Sequence, residues 1–304
     1  MAVADRAASD GQGRGDRPDQ RTLRLTANGL THFVRDSGAT GAPAAILLHG
    51  FPDSSAVWER LTPYLVEGGY RIIAPDMRGF GETGMAARVA DYDIQTGAAV
   101  DVIAILDALK IDRVHVVGHG FGAPVAWLLA AQKPGRFPSL AALSVGHMRA
   151  FLAAGPEQKR RSFYILIHQL RGVCEWLYRR DDWAWLRENW KGVRDPEETI
   201  RLFSRPGRLA AGLNWYRANI SLLRMLAPPK PGAMGEERVS IPTLGVWSAG
   251  DKYLVEEQMA RSGAYVDGLW TYARIENASH WLQDDAPGEL AKLLLGHWRA
   301  AEDG

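Results

Sequence analysis

Between Ala44 and His147, short apolar runs alternate with segments of helical periodicity, and this alternation leaves few architectures open to the chain. AAILLHG (Ala44 to Gly50), YRIIAPD (Tyr70 to Asp76), VHVVGHG (Val114 to Gly120) and LAALSVGH (Leu140 to His147) read as buried strands. Helices are expected between them, from about Ser55 to Glu67, from about Tyr92 to Leu109, and over Phe121 to Gln132. Wholly apolar strands separated by helices imply a parallel sheet covered on both faces. Upstream, TLRL and THFVRD predict an opening hairpin. The rhythm then breaks: Met148 to Gly235 holds five of the eleven tryptophans, many arginines and helical spacing, without a convincing strand. It ends in PPKPGAMG, a linker by composition. Strands resume with IPTLGVW (Ile241 to Trp247) and TYARIE (Thr271 to Glu276), and Pro287 to Ala301 predicts a closing helix. The expectation is an α/β core, residues 21–147 and 236–304, interrupted by a helical cap, 148–235, whose junctions lie on the carboxyl-end side of the sheet.

Composition narrows the function classes. With 304 residues, 46% hydrophobic and 23% charged, the chain can bury a large core. A net charge of +1 gives no global field for nucleic acid or an anionic membrane. The single cysteine, Cys174, closes no intrachain disulfide and builds no zinc site by itself, which fits a reducing compartment. No apolar run is long enough to span a bilayer. Residues 1–20, rich in Gly, Asp and Arg, carry no signal-peptide core and predict a disordered tail on a cytoplasmic protein. The near-neutral total hides an asymmetry. Met148 to Gly235 has 16 Lys and Arg against 8 Asp and Glu, a net +8, while the remainder has 20 against 27, a net −7. A solvated basic surface is the plain reading; recruitment of an anionic or phenolate-bearing substrate, or docking on an acidic face, is the sharper one.

VVGHGFGA (Val116 to Ala123) has the frame of a nucleophile elbow, a strand, a Gly-x-X-x-Gly turn and a helix start. Gly118 and Gly122 let the chain turn sharply and pack helix on strand. The nucleophile belongs at the middle position, which is Gly120. A dinucleotide loop is excluded, because the Gly-x-Gly-x-x-Gly spacing is absent and this is a late strand. In LLHGFPDSS a strand ends at His49-Gly50-Phe51-Pro52, so the backbone N–H groups of Phe51 and Phe121 are candidate oxyanion donors. Downstream, Asp251 in GVWSAGDKY and His280 in ENASHWLQDDAP each follow a strand, and the chain order of elbow, acid and histidine is the one such a site needs. The carboxylate would fix the imidazole tautomer and stabilise its charged form. His49 and His119 read as backbone-supporting residues, and Cys174 receives no role. No phosphate loop, metal-ligand cluster or flavin signature is present, so neither metal nor cofactor is implied.

HGFP, PDMRGFGET, GH-x-x-GAPVAW, NWYR, GDKYL and SHWLQ-x-x-x-P together resemble the epoxide hydrolase branch of the α/β-hydrolase superfamily, from about Leu23 to Trp298. The resemblance implies the α/β-hydrolase fold: a mostly parallel eight-stranded sheet with helices on both faces and a helical cap. It also implies two cap tyrosines gripping an epoxide oxygen, here Tyr164 in SFYILIHQLRGVCE and Tyr216 in NWYR. His168, one turn from Tyr164, His147 at the pocket edge and Trp281 beside His280 are candidate substrate contacts, with packing as the alternative for the histidines. The departure is at the nucleophile, where the branch has Asp and this chain has Gly120. Phe121 stands where the branch usually has Trp, which weakens a dehalogenase reading. Loss of a nucleophile costs serine hydrolases about 10⁶-fold in turnover, roughly 8 kcal/mol, so ordinary covalent hydrolysis is not expected. The expected function is non-covalent acid/base catalysis, with His280 and Asp251 as base and Tyr164 and Tyr216 as acids. The outcome would be epoxide opening, cyclisation or carbon–carbon bond formation on a hydrophobic, polycyclic small molecule of secondary metabolism. Two readings stay open beside it: an epoxide hydrolase inactivated at its nucleophile, which would trap substrate, and a non-catalytic ligand-binding protein. A homodimer is also left open.

Overall fold

An Asn28-Gly29 pair, both residues at positive φ, closes a two-residue hairpin between β2 (Gln20–Ala27) and β3 (Leu30–Ser37) and begins the sheet. The computed structural model describes residues 4–5, 20–220 and 237–303. The PPKPGAMG linker and most of the expected tail lie outside them. Of that tail, β1 (Ala4–Asp5) is a two-residue edge strand paired with Arg24 and Leu25, and Gln20 already belongs to β2.

Eight further strands make the sheet. After the hairpin come β4 (Ala44–Leu48), β5 (Arg71–Pro75), β6 (His115–His119), β7 (Leu140–Leu143), β8 (Thr243–Ser248) and β9 (Trp270–Ile275). Their order is β1-β2-β3-β5-β4-β6-β7-β8-β9, antiparallel as far as the β3–β5 pair and parallel from β5 to β9. Every residue of β4, β5, β6, β7 and β8 is buried, as the continuous apolar runs require of strands covered on both faces. Because the central strands are parallel, their carboxyl ends converge on one edge, where open α/β sheets place their ligands.

Two expected helices are less regular than their periodicity suggests. The segment 55–67 splits into a 3-10 turn, Ser55–Trp58, and a helix, Thr62–Glu67, because Pro63 has no N–H to continue an earlier turn and fits only in a first turn. The segment from Tyr92 enters through a 3-10 turn and a π turn before the regular helix Ala99–Ala108.

Between β7 and β8 the described residues hold six helices and no strand, from Met148–Leu152 to Arg208–Asn219. The longest, Val173–Asn189, is broken where Arg180 to Trp183 leave helical geometry. Polar contacts dock this insertion on the sheet's edge. Asn219 accepts from the Ile94 N–H at 2.9 Å and donates to the Tyr92 carbonyl at 2.9 Å, and Trp215 Nε1 donates to the Arg78 carbonyl at 3.0 Å. Arg194 pairs with Glu59 and Arg205 with Glu82. The basic insertion thus meets acidic side chains of the core. No helix among the described residues is long and apolar enough to cross a membrane.

Candidate active site

The turn after β6 puts Gly120 at φ +56°, a left-handed conformation that costs glycine nothing and other residues about 1–2 kcal/mol. The surrounding glycines are there for contact. A Cβ on Gly118 would lie 2.3 Å from the Gly122 carbonyl oxygen, and one on Gly122 would lie 2.0 Å from that of Leu48. A Cβ on Gly50 would meet the Phe121 nitrogen at 2.8 Å, so the HGFP turn and the elbow touch through backbone. Neither the Phe51 nor the Phe121 N–H enters a hydrogen bond among the described residues, which leaves both as donors at this corner. A Cβ on Gly120 would be 4.0 Å from His280 Nε2.

The loops after β8 and β9 bring His280 and Asp251 together. His280 Nδ1 donates to Asp251 Oδ2 at 2.8 Å, and the Asp251 carboxylate is fully buried. The other oxygen, Oδ1, accepts the N–H groups of Tyr253 (2.8 Å) and Leu254 (3.0 Å), which fix the acid's orientation. With Nδ1 protonated toward Asp251, Nε2 keeps its lone pair on the side of Gly120. The His280 backbone is also anchored: its carbonyl accepts from His119 Nε2 at 2.9 Å and from Ser144 Oγ at 3.0 Å. His119 is held neutral, its pKa well below the usual range, by burial and by the neighbouring His280.

Above this pair the helical insertion contributes an aromatic wall. Tyr164, on the helix Tyr164–Gln169, and Tyr216, on Arg208–Asn219, have rings 6.0 Å apart at 81°, and their hydroxyls face one another. Burial raises both pKa values, so both phenols stay protonated donors. Phe51 and Phe121 reach up from the core to the Tyr216 ring, at 5.4 and 4.6 Å. His168 lies among Tyr164, Tyr216, Phe51 and Trp190, fully buried, with its pKa pushed down to about 3 by burial and then by Arg217. Trp281 packs edge-on against His280 at 5.1 Å.

Other expected residues are elsewhere. His147 stacks on Tyr265 at 4.4 Å and meets Trp127 and the Glu237 carbonyl. It caps the helix Met148–Leu152, and none of its contacts is with Gly120, His280, Tyr164 or Tyr216, so it does not line the pocket at Gly120. His49 accepts the Met77 N–H at Nε2 (2.9 Å) and donates from Nδ1 to the Gly50 carbonyl (2.8 Å), bracing the HGFP turn. Cys174 is buried with its thiol pKa pushed up to about 12 by desolvation first, far from an activated thiolate. No group of three or more His, Cys, Asp or Glu among the described residues is placed to hold a metal.

Two residues were not singled out from sequence. Asp53 lies in the HGFPD turn, buried, its Oδ2 accepting from Trp281 Nε1 at 2.9 Å. Burial, opposed by that bond and by His280 and reinforced by Asp284, raises its pKa to about 7. Tyr253, from GDKY, has its ring 5.2 Å from both His280 and Trp190 and donates its hydroxyl to the Asn189 carbonyl at 2.5 Å. Both stand inside motifs that were read for their neighbours alone.

Comparison with known proteins agrees with this fold. The family described as alpha/beta hydrolase fold matches residues 43–173. Epoxide hydrolase A of Mycobacterium tuberculosis is 29% identical over 90% of this chain and 96% of its own. Human epoxide hydrolase 4 is 29% identical over 90% of this chain and 76% of its own. Among solved structures, an epoxide hydrolase from metagenomes of hot environments superposes with a TM-score of 0.80 at 25% identity, covering 92% of this chain and 98% of that one. The chain has the alpha/beta hydrolase fold. Both of these relatives are named epoxide hydrolases.

Proposed function

We propose that the protein is a small-molecule enzyme descended from epoxide hydrolases that works by acid/base chemistry without a covalent ester. One observation carries the reading: the imidazole, oriented by Asp251, presents Nε2 to a nucleophile position that has no side chain. In this reading His280 takes a proton from water or from a substrate hydroxyl or carbon. The resulting oxygen or carbon nucleophile attacks, and the electron pair of the breaking C–O bond goes to an oxygen protonated by Tyr164 or Tyr216. Water attack opens an epoxide, an internal hydroxyl cyclises it, and a carbanion forms a carbon–carbon bond. The aromatic wall suits a hydrophobic, polycyclic substrate. Consumption of aromatic epoxides and polycyclic phenols, followed by mass spectrometry, tests it. Tyr164→Phe and Tyr216→Phe are each expected to slow turnover by about 10²-fold or more; full activity in both overturns the tyrosine role.

A second reading is favoured by the retained elbow at Gly120. The elbow backbone is kept, and a Cβ there would stand 3.1 Å from the Gly50 Cα, a close contact that a small shift of Gly50 relieves, and 4.0 Å from His280 Nε2. In that case the protein is an epoxide hydrolase lacking only its nucleophile, and Gly120→Asp gains epoxide hydrolysis that the native protein lacks.

A further inference from the structure

His168 carries a buried hydrogen-bond donor that nothing among the described residues accepts. Trp190 Nε1, which can only donate, donates to the Tyr178 hydroxyl oxygen at 2.9 Å. The Tyr178 proton then has one acceptor among the described residues, His168 Nε2 at 3.0 Å. This relay places the imidazole proton on Nδ1. That atom is buried and has no partner among the described residues. An orphaned buried donor is costly to a fold unless something outside the protein accepts it. The imidazole sits against the residues assigned to substrate: its ring is 4.3 Å from that of Tyr216, 5.4 Å from Tyr164 and 5.5 Å from Phe51.

We propose that His168 is a specificity residue whose Nδ1–H receives a second acceptor oxygen of the substrate, at a distance from the oxygen held by Tyr164 and Tyr216. The substrate class is then an aromatic molecule with two oxygen acceptors on separate edges, as in a quinone or a hydroxylated ketone. A single-acceptor aromatic epoxide or ketone leaves Nδ1–H unpaired and binds more weakly. The proposal rests on the tyrosine reading for the first oxygen only.

Calorimetric titration with 2,3-dimethyl-1,4-naphthoquinone and 2-methyl-1-tetralone tests it, the first probe carrying two carbonyls and the second one. The native protein is expected to prefer the quinone by about tenfold. His168→Phe is expected to lose that preference with the tetralone affinity kept, and to melt lower because the Tyr178 proton loses its acceptor. His168→Gln, which retains an N–H donor, is expected to keep part of the preference. Equal affinity of the native protein for the two probes, no binding of either, or an undiminished preference in His168→Phe overturns the proposal. Tyr164→Phe and Tyr216→Phe lower both affinities if the tyrosines hold the first oxygen. A His168 effect without a tyrosine effect sinks the tyrosine reading and leaves this one standing.

Discussion

At Gly120 the backbone keeps the strained geometry of an elbow while the side chain that would use it is gone. Gly120→Asp is therefore expected to lower stability by about 1–2 kcal/mol through the left-handed φ alone, read from urea unfolding; an unchanged midpoint contradicts the φ assignment. Asp251 offers a second test. Asn at this position still accepts the Tyr253 and Leu254 N–H groups, so the loop survives. Its amide, however, donates toward His280 Nδ1 and drives the imidazole proton to Nε2, which removes the base. Asp251→Asn is expected to cut turnover by about 10³–10⁴-fold with unfolding unchanged; a loss below tenfold argues against the tautomer argument. The elbow, Asp251 and His280 were legible in sequence because each sits at a strand end marked by glycine and aromatic neighbours. Asp53 was not: its burial depends on Trp281, 228 positions further along, and no local pattern encodes that contact.

The elements divide in the same way. The buried strands were readable because a strand covered on both faces carries apolar residues on both, and β4 to β8 are apolar through their middles, with Arg71, His115, His119, Thr243 and Ser248 only at their ends. The break at Arg180 to Trp183 was not, since DDWAW carries helix-compatible residues and no glycine or proline where the chain turns aside. Docking of the insertion is likewise a tertiary matter. The helix Arg208–Asn219 ends on Asn219, which bonds Ile94, Tyr92 and its own Trp215 carbonyl. Asn219→Ala orphans the buried Ile94 N–H and is expected to cost about 1–3 kcal/mol. It should also loosen the seat of Tyr216, three residues earlier. Thermal unfolding together with KM is the check, and a variant with native values of both would show that this helix end does not position the wall.

At the scale of the whole molecule, the +8 and −7 halves meet at Arg194–Glu59 and Arg205–Glu82, so part of the charge contrast is spent in holding the insertion over the sheet. The exposed members of such pairs contribute about 0–1 kcal/mol each. Asp53 sets a larger pH term. Its raised pKa means that the folded state keeps a proton the unfolded chain has lost, so stability falls as pH rises from the ordinary value of 3.8 to about 7 and stays low above it. Asp53→Asn keeps an acceptor for Trp281 and is expected to be more stable than the native protein at pH 8, by up to roughly 4 kcal/mol, with the gap closing toward pH 4. A gap that widens on acidification has the wrong sign for this account. The central claim, chemistry without a covalent ester, is tested most directly by incubating native protein and His280→Ala with the epoxide and phenol panel and following substrate and intact protein mass together. Turnover by the native protein, no substrate adduct on it, and loss of turnover in His280→Ala are expected. Equal turnover by His280→Ala, or a substrate-derived adduct on the native chain during turnover, would contradict it.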